Sequence, residues 1–307
     1  MKLLTHERQW RGGETSVAFG TFDGVHRGHA RLLRAANALA QRDGLSSVVY
    51  TFSSHPMAVF APERVPPVLH TREEKACAFA RLGVDAAVMR PFDAAYAAQT
   101  PEEFVRAVVD ALHPRHVVIG FNYAFGRRGE GKASDMVALG KRYGFEVLVV
   151  DAVREGGEPI SSTRVRAAVE AGELELAARL LGNPYGLCGV IQRGKQLGRQ
   201  LGFPTANLPL PQGKALPPRG VYAARASVKG ETYMAAINIG RHPTAPGGGA
   251  TVEANLLDYP GGELYGCGMR LTLFHQVREE RRFETLDALR EEVLRNREQV
   301  RASFAGR

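Results

Sequence analysis

Short runs of β-branched and apolar residues without polar alternation recur at 16–19, 47–52, 86–89, 116–119 and 145–150. Several of them have the pattern of strands covered on both faces. Between them, the segments 29–41, 72–82, 101–112 and 133–143 read as helices. Thr71 followed by Glu74 predicts a capping box, and Thr100, Pro101 and Glu103 predict a capped helix with proline at its first position. Strands alternating with helices predict an α/β fold, an open parallel, Rossmann-like sheet with helices on both faces. Ligands of such sheets sit beyond the carboxyl ends of the strands.

The rhythm changes after Leu181. Gly182, Pro184 and Gly186 punctuate the chain, and short runs follow at 187–191, 220–228, 232–239, 251–257 and 268–274, separated by glycine and proline clusters. These predict a small antiparallel β-barrel or sandwich. A terminal helix is expected over 283–300, with Leu286, Leu289, Val293 and Val300 as a partial apolar stripe. Two domains are therefore expected, 1–182 and 183–307.

Length and composition agree with two cores: 307 residues, 44% of them hydrophobic. Lys and Arg number 40 against 32 Asp and Glu, a formal charge of +8. With no Lys/Arg-rich tract, this balance favours small anions such as nucleotides over nucleic acid, the alternative being a solvated arginine-rich surface. Cys77, Cys188 and Cys267 form neither a local metal motif nor a disulfide framework, which suits a reducing cytosol. The first residues lead into no apolar signal region and no apolar stretch approaches membrane length, so a cytoplasmic protein with no membrane partner is expected.

The candidate chemistry begins at 20–29, GTFDGVHRGH, where an apolar run gives way to a glycine-broken turn and a helix start. Free N–H groups and the helix dipole attract phosphate there. Gly20, Gly24 and Gly28 allow close approach of backbone, and His26 and His29 can donate hydrogen bonds to phosphate oxygens. A His-x-x-His pair is otherwise surface decoration or part of a metal site. His55, in TFSSHP at 51–56, either lines the same crevice, caps a helix or pairs with backbone. In GFNYAFGRRGEG at 120–131, the aromatics can enclose a flat ring and Asn122 can bind a nucleotide, or the segment is a mobile glycine-rich loop. Ser161, Ser162 and Thr163 open a helix whose first turns carry Arg164 and Arg166. Arginine there opposes the helix dipole, so an anion is expected, with Arg166 as the clamp on the β- and γ-phosphates. With no nucleophilic triad in view, the chemistry reads as direct in-line transfer.

Together these four segments are similar to the nucleotidyltransferase half of the bacterial bifunctional riboflavin kinase/FAD synthetase family, a relative of the HxGH adenylyltransferases. The second half resembles the riboflavin kinase module through GKQLGRQLGFPTAN at 194–207, NIGRHPT at 238–244, VEANLLD at 252–258 and REERRF at 278–283. The resemblance implies phosphorylation of riboflavin to FMN, then transfer of AMP from ATP to FMN to give FAD and pyrophosphate, with ATP and Mg²⁺ in each step. It implies that His26, His29 and Arg166 act on the ATP phosphates, with Gly20, Phe22, Asp23, Gly24, His55, Asn122, Ser162 and Thr163 around the nucleotide. In the kinase half it implies nucleotide or flavin contacts from Gly194, Gly198, Arg199, Gly202, Phe203, Pro204, Asn238 and Arg278. Thr205 and Asn207 are hard oxygen ligands suited to Mg²⁺, and Glu253 is the expected base for the riboflavin 5′-hydroxyl. Asn122-Tyr123 stands where many members have Asp-Phe, Asn255 where a His is frequent and Asn296 where an Asp is usual. The partners implied are riboflavin, FMN and ATP, for a monomer or weak homo-oligomer. The rival readings are a protein with one decayed site, and a flavin- or RNA-binding regulator that turns over no ATP.

Overall fold

The computed structural model describes residues 1–194, 203, 205–240 and 250–305. By contact, the chain divides into Met1–Ser162 and Thr163–Arg307.

The first unit is a parallel sheet of six strands: β1 (Lys2–Leu4), β2 (Thr15–Phe19), β3 (Ser46–Phe52), β4 (Ala86–Arg90), β5 (Pro114–Gly120) and β6 (Glu146–Val150). Their order across the sheet is β1-β4-β3-β2-β5-β6. The chain winds outward from β2 through β3 and β4, then resumes on the other side at β5, so the switch point lies between β2 and β5. β2 is buried along its whole length, as its uninterrupted run predicts. Val17 and Phe19 enter one core with Phe104, Val108 and Met136 from the helices Pro101–Leu112 and Ala133–Tyr143. Ala18 enters the opposite core with Leu33 and Ala36 of α1 (Arg27–Asp43) and Phe79 of the helix Arg72–Arg81. The capping box predicted at Thr71/Glu74 forms, and the cap predicted at Thr100 is also a capping box, with Glu103. The edge strand β1 was not anticipated; three residues carry no pattern, and pairing with Ala86–Val88 of β4 supplies the order.

The second unit holds a nearly closed antiparallel barrel: β7 (Gly186–Val190), β8 (Thr205–Pro209), β9 (Gly220–Val228), β10 (Glu231–Gly240), β11 (Thr251–Leu256) and β12 (Gly268–Glu279), in the order β7-β12-β9-β10-β11-β8. A bridge between Gln192 and Asn207 joins the two edges. Leu187, Leu208, Tyr222, Ile237, Val252 and Leu271 fill the interior. The terminal helix, Leu286–Phe304 rather than 283–300, packs Val300 and Phe304 on Val221, Ala223 and Ala236 of the outer face. β8 is a sixth strand that the glycine- and proline-rich run 194–207 conceals.

Candidate active sites

In the first unit the site grows from the turn after β2. Phe22 and Val25 have φ of 49° and 41°, in the left-handed region that a β-branched residue avoids. Two such residues within one buried turn are strained backbone held by its surroundings. Gly20 and Gly28 serve this turn from within: a Cβ on Gly20 would lie 3.1 Å from the Phe22 ring, and one on Gly28 3.1 Å from the His26 ring. The space that these two glycines leave is taken by neighbouring side chains of the same segment.

His26 is the N-cap of α1, its Nδ1 accepting the His29 N–H at 3.3 Å. The two imidazoles stack with centroids 3.7 Å apart, and His29 also meets the edge of Phe22 at 5.1 Å. Burial lowers the His26 pKa to about 4 against the opposing pull of Asp23. Burial also holds His29 well below its usual value, helped by His26, Lys75 and His70. Both rings are thus neutral near pH 7, each with one N–H to donate. Nδ1 of His29 is buried without a hydrogen-bond partner among the described residues. Among those residues no group of three His, Cys, Asp or Glu is arranged to hold a metal ion.

The Asp23 carboxylate accepts the backbone N–H groups of Leu69 (2.9 Å) and His70 (3.0 Å), tying the turn to the segment before the helix Arg72–Arg81. Its carbonyl accepts the Ser162 hydroxyl at 2.9 Å. His55 accepts the Met57 backbone N–H at 3.1 Å just ahead of the short helix Met57–Phe60, and it lines a cavity with Thr21, Asp23, Phe52, His70 and Lys75. His55 thus pairs with backbone, and neither His26 nor His29 is among the residues lining its cavity. Lys75 is a residue that the sequence reading missed. Its Nζ donates to the carbonyls of Thr21 (3.0 Å) and Phe52 (3.4 Å), one from each loop after β2 and β3. Burial lowers its pKa, with Asp23 opposing. The available signal was its place one helical turn after the Thr71 cap.

Asn122 is exposed. The aromatic residues around it divide: Tyr123 and Phe125 stack at 5.7 Å and pack into the core, while Phe121 is 50% exposed. Core packing takes the rings at 123 and 125 because their alternation with Ala124 turns both toward Phe19 and Phe104. Thr163 is exposed and Arg166 buried on the helix Ser162–Glu170. Ser162 and Arg166, four residues apart, share one face of that helix.

In the second unit, register brings the candidate residues together. Asn207 of β8 pairs with Glu253 of β11, Glu253 with Asn238 of β10, Asn238 with Val221 of β9, and Val221 with Arg278 of β12. Directly paired residues point to one face of a sheet, so one row on the outer face carries an amide, a carboxylate, an amide and a guanidinium. Thr205, two residues before Asn207, shares that face and pairs with Asn255. A Cβ at Gly194 would lie 2.4 Å from the Asn207 side chain, so this glycine seats directly on the amide. Asn255, where a His is frequent, accepts Arg297 Nη1 at 2.7 Å; the same guanidinium lies 5.5 Å from the centre of the Phe203 ring. Asn255 thereby fastens the terminal helix to the sheet beside Glu253. Gly198, Arg199, Gly202 and Pro204 lie outside the described residues.

The FAD synthetase family matches residues 9–164 and the riboflavin kinase family residues 181–304. A bifunctional riboflavin kinase/FMN adenylyltransferase of Listeria monocytogenes is 36% identical over 97% of this chain and 95% of its own length. Its namesake in Bacillus subtilis is 33% identical over 94% and 92%, and that of Escherichia coli K12 36% over 94% and 92%. A crystal structure described as a macrolide-efflux protein from Streptococcus pneumoniae is 30% identical and superposes with a TM-score of 0.83, covering 97% of this chain and 98% of that one. Among the described residues of the present chain no helix is long and apolar enough to cross a membrane. Matches in both halves, in the same order and over nearly the whole length of the curated relatives, assign the chain to the bifunctional riboflavin kinase/FMN adenylyltransferase family.

Proposed function

We infer that the chain phosphorylates riboflavin to FMN in its second unit and adenylylates FMN to FAD in its first, acting in the cytoplasm on small molecules. The observation that carries the kinase assignment is the row Asn207, Glu253, Asn238 and Arg278 on one face of the barrel. Glu253 takes the proton from the riboflavin 5′-hydroxyl as that oxygen attacks the γ-phosphorus of ATP and ADP leaves. Thr205 and Asn207 offer two neutral oxygen donors side by side on one strand face, a donor set that fits Mg²⁺. Mg²⁺ bound there with ATP would neutralise charge on the phosphates. Asn207 is fixed for this purpose by Gly194 beneath it.

In the first unit His26 and His29 are the donors for the ATP phosphates. The FMN phosphate oxygen attacks the α-phosphorus, and pyrophosphate leaves as charge grows on its oxygens. Neutral, buried imidazoles each present an N–H without bringing a fixed charge that would have to be desolvated, and approach of the polyanion favours their protonation. Lys75 holds the two loops around them. Incubation of purified protein with riboflavin, ATP and Mg²⁺, followed by chromatography, tests the assignment. FMN should rise and then give way to FAD; flavin binding without turnover would replace this reading by that of a flavin-binding regulator.

A further inference from the structure

The terminal helix carries a polar cluster that the reaction outlined above does not use. Its apolar stripe runs through Leu289, Val293 and Val300, yet two further positions on that stripe, 292 and 296, are Glu and Asn, and both side chains are buried. Glu292 gathers three guanidinium groups: Arg278 at 3.2 Å, Arg295 at 3.3 Å, and Arg281. Asn296 links the carboxylate to Arg278 a second time, its Oδ1 accepting from Arg278 Nε at 3.0 Å and its Nδ2 donating to Glu292 at 3.0 Å. The centre of the Phe283 ring lies 5.5 Å from the Arg278 guanidinium and 4.9 Å from that of Arg281. A buried carboxylate with its lone pairs taken up in this way fixes its partners' geometry more than it adds net stability.

The position of Arg278 in the row gives that geometry a use. The magnesium ligands proposed for Asn207 and Thr205 stand on one side of Glu253, and Arg278 stands on the other. Three strand spacings separate Arg278 from Glu253, about 14 Å along the sheet. The alcohol to be phosphorylated sits at Glu253 with ATP toward Asn207, so the rest of the flavin extends toward Arg278. We propose that Glu292, with Asn296, is a positioning residue for the flavin acceptor: it holds the Arg278 guanidinium at the flavin end of the row and so sets affinity for riboflavin rather than for ATP. The inference rests on the kinase reading of the second unit.

The test is steady-state FMN formation by the full chain carrying Glu292→Gln, Arg278→Ala, both together, or Arg295→Ala. A guanidinium released from a charge-assisted contact is expected to raise the KM for riboflavin about tenfold in the first two variants, with KM for ATP and kcat near wild type. The double variant should be no worse than Arg278→Ala, because the carboxylate acts through the arginine. Arg295→Ala, which removes a partner of Glu292 outside the row, should leave both KM values unchanged. If Glu292→Gln fails to fold, Asn296→Ala carries the test, with the same selective rise expected. An Arg278→Ala variant defective for riboflavin beside a Glu292→Gln (or Asn296→Ala) variant that is not, or additive effects in the double variant, would overturn the positioning role. An unchanged riboflavin KM in Arg278→Ala would instead overturn the flavin contact assigned to Arg278.

Discussion

His26 makes the first unit sensitive to acid in a way that can be isolated. Its pKa is near 6.5 in the unfolded chain and about 4 in the folded one, because burial disfavours the imidazolium. Above pH 6.5 both states hold a neutral ring and stability is unaffected; between 6.5 and about 4 the unfolded chain binds the proton first, and folding loses free energy. Below that range both states are protonated and the loss levels off at about 3 kcal/mol. Protonation of Nδ1 also removes the acceptor that caps α1. His26→Asn is the appropriate perturbation, since Asn is a good N-cap without a titrating ring. The chain has one tryptophan, Trp10, buried in the first unit's core, so urea unfolding followed by its fluorescence reports that unit alone. Wild-type stability minus variant stability should fall by about 3 kcal/mol between pH 7.5 and 4. A difference that stays flat across that interval would refute the claim that His26 is buried and neutral.

Three other perturbations separate the two units. Gly194→Ala drives a methyl into the Asn207 amide and should cut FMN formation at least about tenfold while FAD formation from supplied FMN persists, as chromatography of each half-reaction will show. Lys75→Met removes the donor to the Thr21 and Phe52 carbonyls and should lower kcat/KM for FAD formation about tenfold, some 1.4 kcal/mol, with FMN formation unchanged. Thr71→Ala deletes a capping box and should destabilise the first unit by about 1 kcal/mol in the Trp10 unfolding assay.

Local signals were the ones legible in the sequence. The capping residues, the buried central strands and the antiparallel second half are written in neighbouring residues, and the structure reproduces them, whereas the edge strand β6 leaves Leu148 and Val149 exposed. The histidine turn was legible as a motif, but the use of its glycines was not. Gly20 and Gly28 make room for Phe22 and His26, and Asp23 binds backbone 46 residues away. Tyr123 and Phe125, readable as a ring-binding pair, go to the core because Phe19 and Phe104 meet them there, a contact set by sheet order. Lys75 and Glu292 were invisible for a similar reason: each looks like a solvated helix charge until a distant strand or loop closes over it. Glu292 left one trace, a charge on an apolar stripe. The row that gathers Asn207, Glu253, Asn238 and Arg278 depends on the register of five strands, and no short-range pattern specifies that.

The central claim is that two chemistries reside in two separate sites, and one paired measurement addresses it. His29→Ala and Glu253→Gln, each verified as folded, are assayed for FMN formation from riboflavin and for FAD formation from supplied FMN. His29→Ala should make FMN but no FAD, and Glu253→Gln should make FAD from FMN but no FMN. Loss of both activities in either variant, or retention of both, would contradict it.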